Sequence, residues 1–517
     1  MTAYFDLLLR GAGLSSQASA IGGVFFIVLV LRRADLRPLR VRSLWLVAAS
    51  GLGVIIAQCL ALVLQLESLG AERGWPVREF LGTTYFFASV VRILASAGLV
   101  AGCWLIWRAR SRIWVGSALA CCVALAAGSA GMSHAVARLH HRALLLALDT
   151  LHQLAAAVWV GGLVHLTVAA FRRGWPPWPP RVLQRFSATA LVAVVTLVVA
   201  GVGLSLAYVD AFDALLETGY GAMILTKGVI FAGLLALGAA NFLAIRRLRS
   251  GTEVSLVRVR RFVETELGLG LVVLFVAASL TSLPPAVDVV ADRATLVEIG
   301  ARWAPRWPTL TSPMIQELPV PDRDTPKSAE DRAWSEYNHN VAGLFVLAMG
   351  LLATVQRMRW APWARHWPLL FLGLAGFLFL RNDPEAWPRG ALGFWESLRD
   401  PVVVQHRVFV LLIVAFGVFE WLVRIRHFRS KGYALIFPLL CAASGGLLLA
   451  HTHSADDLKE QVLIELSHIS LGLMATLVAW ARWLELRLSS PDDRLPGRLW
   501  AVGLSLVGVL LLLYRET

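Results

Sequence analysis

Charge is scarce in this chain of 517 residues. Asp, Glu, Lys and Arg make up 16% of it, while 57% is hydrophobic and the mean hydropathy is +0.66. A soluble domain carries ~25% charged residues, so a soluble globular protein is excluded. Cysteine is equally sparse. The five residues Cys59, Cys103, Cys121, Cys122 and Cys441 all lie inside apolar stretches, with no C-x-x-C pair, which leaves no disulfide framework and no thiolate zinc site. Walker A, G-x-G-x-x-G, H-E-x-x-H and G-x-S-x-G motifs are missing as well, which excludes an ATP-driven pump and favours a transporter or metal-binding membrane protein over an enzyme. The opening MTAYFDLLLRGAG lacks the basic region and cleavage site of a secretory signal, so the first apolar run is expected to be retained.

What the chain has instead is long apolar stretches. A membrane-crossing helix needs about 20 apolar residues, and fourteen stretches of near that length can be read, at 15–31, 43–66, 84–107, 112–131, 143–170, 186–208, 220–245, 262–283, 340–356, 367–380, 403–423, 433–450, 462–481 and 499–514. The expected fold is an all-α polytopic bundle with the lipid bilayer as its main partner. The formal charge of +14 does not point to nucleic acid, because the basic residues are spread over short loops. Every loop that follows an odd-numbered stretch carries three or more Lys or Arg. Cytoplasmic loops keep that excess, so both termini are expected on the extracytoplasmic side. The Pro-rich, charged segment from Pro284 to Asn338 divides the chain into an eight-helix module (1–283), an extracytoplasmic linker (284–338) and a six-helix module (339–517).

The twelve histidines are unevenly placed on this topology. His134, His140, His141, His152, His339, His406, His451, His453 and His468 fall at or near the outer face, where neutral imidazoles could gather copper, zinc or iron from outside. Three acids stand three residues before a histidine: Asp149 before His152, Glu336 before His339 and Glu465 before His468. On a helix these share a face, so each acid can ligate the same ion or hold the ring's tautomer. His451 and His453 form an H-x-H pair, and Met132 sets a soft thioether two residues from His134, a combination suited to Cu(I). With only seven methionines in the chain, any copper site would be mainly histidine.

Ionisable groups inside membrane helices are costly and therefore functional candidates. Arg92, Lys227 and Glu266 are expected to line a path, and a Lys227–Glu266 ion pair is one arrangement the topology allows.

Several runs carry a family resemblance: SHA (133–135), LHQLAAAVWVGGLVHL (151–166), RFSATAL (185–191), TGYGAMILTKGVIFAGLLALGAANF (218–242) and ETELGLGLVVLFVAASLTSLPPA (264–286). The stretch from about 130 to 286 resembles the CopD/PcoD copper-resistance D family of bacterial inner-membrane proteins. The resemblance implies copper ions, as Cu⁺ or Cu²⁺, transported across the cytoplasmic (inner) membrane for uptake or resistance, with the histidine-rich side facing outward. It implies a periplasmic CopC-like copper-binding partner, His134 and His152 as membrane-face ligands, and Lys227 and Glu266 as in-membrane charges. The last six stretches have no such resemblance. An alternative reading is a b-type haem redox protein with two axial histidines drawn from His152, His406 and His468; another is a copper-delivery or assembly factor.

Overall fold

Among the described residues of the computed structural model, fourteen helices are long and apolar enough to cross a membrane, the number read from the sequence. The structure describes residues 2–31, 37–73, 77–109, 112–170, 179–252, 254–318, 328–358, 361–428, 430–450 and 458–516. Among them, every regular element is helical. The spanning helices are α1 (Thr2–Phe25), α2 (Arg37–Arg73), α3 (Thr84–Ala109), α4 (Arg112–Ala130), α5 (Arg142–Ala156), α6 (Pro180–Tyr208), α7 (Gly219–Arg249), α8 (Leu256–Leu280), α9 (Ala329–Arg357), α10 (Leu370–Arg381), α11 (Pro401–Arg424), α12 (Ile436–Ala450), α13 (Leu458–Arg487) and α14 (Arg494–Leu512).

Two helices begin well before the apolar stretch that announces them. In α1 the early turns hold Asp6 and Arg10, which pair at 2.7 Å one turn apart and so offset each other's charge. In α9 the start is set by Ser328, whose hydroxyl accepts from the Asp331 amide while the Asp331 carboxylate accepts from the Ser328 amide. The Pro-rich segment is more ordered than a bare linker. It contains a helix at Leu296–Trp303, capped reciprocally by Thr295 and Glu298, and short 3₁₀ turns at Ala286–Asp288 and Ile315–Glu317.

The chain forms two compact units, one of Met1–Arg293 and one built from Ala294–Leu449 with the C-terminal helices. In the first, α1 is the hub. Two-thirds of its most apolar window is buried, and it packs on α2, α4, α8 and the α5 segment. It achieves this by carrying small residues (Ala18, Ala20, Gly22) where neighbours cross. The α5 segment meets it through a π-helical turn, Ala157–Gly161, before continuing as Gly162–Ala170. At this crossing a β-carbon added to Gly161 would lie 1.8 Å from the Ala18 carbonyl oxygen, and one added to Gly22 would lie 2.4 Å from the Ala157 oxygen. In the second unit α14 takes the central place, packed between α9 and α13.

The crossing sets a stability prediction. Gly161→Ala should destabilise the first unit by about 1–3 kcal/mol, the usual range for forced overpacking, seen as a lower thermal unfolding midpoint in nanodiscs. An unchanged midpoint would show that the two backbones do not meet there.

Candidate functional site

The first unit carries a chain of buried polar side chains inside otherwise apolar helices. It starts at the loop after α4, where Gly131 to Ser133 form a turn and His134 opens a 3₁₀ turn capped by the Ser133 hydroxyl. Here the Met132 thioether lies 3.6 Å from Nη1 of Arg92 and 4.0 Å from the Ser89 hydroxyl, both on α3. Arg92 is 8% exposed and has no carboxylate on it. It donates instead to two amide oxygens: Nη1 to Gln58 Oε1 on α2 at 2.5 Å, and Nη2 to Gln17 Oε1 on α1 at 3.2 Å. Gln58 passes its own amide to Ser89 at 2.9 Å. Gln17 donates to Gln153 Oε1 at 3.0 Å, and Gln153 to Asp149 Oδ1 at 3.1 Å, both on α5. Five groups from four helices thus link a thioether at the loop to a carboxylate within the bundle.

Asp149 is the electrostatic centre of this end of the unit. His134, His152, Tyr208, Tyr220 and Lys227 all lie within its Coulombic range. The His134 ring sits edge-on to Tyr208 and Tyr220, with centroids 6.3 and 5.8 Å away, and its Nε2 meets the Leu280 carbonyl at 3.4 Å. A carbonyl can only accept, so Nε2 carries the proton and Nδ1 the lone pair. Burial is the main cause holding this imidazole below its ordinary value, so it is neutral and ligand-competent at pH 7. His152 reaches across to the Leu197 carbonyl of α6 through Nδ1 at 3.2 Å, with its ring against Gly201.

The Lys227–Glu266 pair does not form. Glu266 is buried and accepts from Asn241 at 2.5 Å. Asn241 stands fourteen residues beyond Lys227 on α7, about 21 Å of helix at 1.5 Å per residue. The pair was one arrangement that the topology allowed. α7 and α8 instead meet with Asn241, well past Lys227, beside Glu266, and it is Asp149 that lies within Coulombic range of Lys227. His165, deeper on the α5 segment, is buried with Nε2 on the Ser19 carbonyl at 3.0 Å.

In the second unit backbone carbonyls stand on the imidazoles that follow the paired acids. His339 and His468 each place Nδ1 on the backbone carbonyl four residues earlier, Ser335 at 2.8 Å and Ile464 at 2.9 Å. Glu336 instead accepts from the Thr309 hydroxyl and the Glu516 amide, and Glu465 accepts from Gln461 at 2.9 Å. His406 does find a carboxylate, though from Asp383 at 2.5 Å rather than from its own helix. Its neighbourhood, Asp383, Arg407 and Glu385, differs from that of His468, which is His339, Glu516 and Arg302. His451 and His453 lie outside the described residues. Among the described residues, no three His, Cys, Asp or Glu side chains come together as a ready-made cation cage.

Residues 180–280, which span α6 to α8, match the family model described as copper resistance protein D. This stretch is a CopD-family region. A 142-residue segment is also 34% identical to "Copper transport protein CutJ" of Bacillus subtilis (strain 168), covering 26% of this chain and 25% of that protein. The chain therefore matches about a quarter of the length of this curated relative. No solved structure matches. The CopD-family region contains Lys227 and Glu266, whereas Met132, His134, Asp149 and His152 precede it.

Gln17, Gln58 and Gln153 were not singled out from the sequence. Their one signal is an amide inside an apolar run, which the search for charges and histidines passes over.

Two outcomes follow. Gln17→Leu removes the acceptor of Arg92 Nη2 and should destabilise the unit by about 1–3 kcal/mol, the cost of a buried unsatisfied donor, measured by chemical unfolding in detergent. The His134 ring should titrate with a midpoint below the ordinary ~6.5 in ¹⁵N NMR of labelled protein. Its stability contribution is then complete above that pH and is lost as pH falls toward the lower folded-state value. A midpoint at or above 6.5 would mean that the ring is not buried against Leu280 and the two tyrosines.

Proposed function

We propose that this chain handles copper ions and carries them across the cytoplasmic membrane, with the end of the first unit that bears Met132 and His134 facing outward to receive them. The CopD-family region and the likeness to a Bacillus copper transport protein support copper as the cargo. The observation that carries the reading is the Met132 thioether set against buried Arg92 at the head of a polar chain ending at Asp149.

The chemistry suits transit rather than storage. A thioether and a neutral imidazole are the donors that Cu(I) prefers, so Met132 and His134 can take the ion from outside. A monovalent cation on the sulfur stands close to the Arg92 guanidinium. At about 5 Å and an effective dielectric near 20, like charges repel by about 3 kcal/mol, so the ion is held weakly. Asp149, reached through Gln17 and Gln153, attracts it onward. Lys227, within Coulombic range of Asp149, keeps that carboxylate from becoming a permanent trap. The distribution of basic loops supports an outward position for both termini, and a CopC-like periplasmic protein is the partner the family resemblance implies.

Cells that depend on the chain for copper should accumulate it at least tenfold more slowly when Met132→Ala and His134→Ala are combined, with expression and membrane insertion unchanged. Copper content after a timed exposure, measured by elemental analysis, gives the readout. Accumulation equal to that of the unsubstituted protein would remove these two residues from the entry site.

A further inference from the structure

Glu266, on α8 within the CopD-family region, is 3% exposed among apolar helices. Its hydrogen-bond partner among the described residues is the Asn241 amide of α7, at 2.5 Å. The helices packed on α8 are α1, α7 and the α5 segment. Their ionisable groups are Asp6 and Arg10 on α1, Tyr220, Lys227, Arg246 and Arg247 on α7, and Arg142, Asp149, His152 and His165 on the α5 segment. None of these acts on Glu266 as a charged neighbour, and neither do Arg258, Arg260, Arg261 and Glu264 of its own helix. Arg260 and Arg261 pair with Glu264.

A carboxylate has acceptors only. The Asn241 Oδ1 is buried with no hydrogen-bond partner, so an ionised Glu266 would leave a charge without a countercharge beside an amide oxygen without a donor. Protonation removes both costs, because the acid is neutral and brings an O–H donor to the side of that amide.

The position fits a step on the copper path. Gln17 meets Gln153, Gly22 meets Ala157 and Gly23 meets His165, so the α5 segment runs parallel to α1. α8 meets Gly11 through Phe275 but meets Val160, next to the Gly22 crossing, through Gly270, so it runs the other way. Glu266, one turn before Gly270, therefore lies past the π-helical turn on the side away from Asp149.

We propose that Glu266 is a proton-exchange site of the first unit, holding a proton until a monovalent cation stands beside it and then surrendering it. The identity of that cation as copper(I) rests on the copper-transport reading above. The O–H bond breaks as the cation arrives from the outer face, and the proton leaves to that face. When the cation departs inward, a proton from the inner face re-forms the bond, so one positive charge moves each way. A carboxylate is a poor donor to a soft ion, so Glu266 balances the ion's charge without holding it long.

Infrared spectra of the full-length protein in nanodiscs test the proton directly. At pH 7 the unsubstituted protein should show the carbonyl band of a protonated acid, moved by deuterium oxide and missing from Glu266→Gln. Glutamine keeps the shape and supplies an N–H to Asn241. The Glu465 carboxyl, buried on α13 with one amide donor, is a separate acid, so the difference between the two proteins is the readout. In vesicles holding a pH dye and a copper dye, copper(I) entry should send one proton outward per ion. An interior more acid by one pH unit should raise the final copper ratio across the membrane about tenfold, since both gradients carry the same free energy per tenfold. In Glu266→Gln the ratio should no longer follow the gradient. The proton count and gradient response of the unsubstituted protein need no variant. No band difference between the two proteins, or copper entry without proton exit, would overturn the proposal. Absence of copper entry in the unsubstituted protein would count against the copper reading instead, because the infrared band is read without the metal.

Discussion

A guanidinium carried among membrane helices must find acceptors there, since hydrocarbon offers none and an unsatisfied polar group costs several kcal/mol. Arg92 finds its acceptors on two other helices. Gln58 and Gln17 supply the oxygens, and in doing so they fix the relative rotation of α1, α2 and α3. Gln17 then has an amide to place and finds Gln153, which in turn finds Asp149, so α5 is tied into the same arrangement. One buried charge therefore sets the register of four helices and draws a line of polar atoms through an apolar bundle.

That line has a chemical direction. At one end lie a thioether and a neutral imidazole, the donors of a soft monocation. At the other lies a carboxylate within Coulombic range of His152, Lys227 and two tyrosines. Arg92 between them is a positive group with no carboxylate on it among the described residues, so a cation is held only weakly beside it. Tight packing at Gly22 and Gly161 supports the geometry, because α1 and the π-helical turn of the α5 segment approach closely enough to bring Gln17 within reach of Gln153.

The membrane helices were legible because twenty apolar residues in a row have few other uses, and alternate basic loops keep their count in phase. The ends were less so. Asp6 and Arg10 neutralise each other within α1, and Ser328 with Asp331 starts α9 among polar residues, so neither helix begins where its hydropathy does. The candidate site was half legible. Met132, His134, Asp149 and Arg92 announce themselves by type. The glutamines that join them do not, since an amide in an apolar run looks the same whether it faces lipid or a partner 136 residues away. The reach from His406 to Asp383 and the stack of His339 on Tyr514 depend on which helices lie side by side, which no local spacing records. The same limit left the Lys227–Glu266 pair open in the sequence, because topology does not record where α7 and α8 touch.

The most direct test of the account is copper flux into vesicles holding the purified protein and an internal copper-sensitive dye, comparing the unsubstituted chain with Arg92→Met. Methionine fills similar space but removes the charge and every hydrogen bond that links Gln58 to Gln17. The account predicts that folded Arg92→Met protein still takes up copper at the vesicle surface but no longer delivers it to the interior. Delivery at the unsubstituted rate would contradict it.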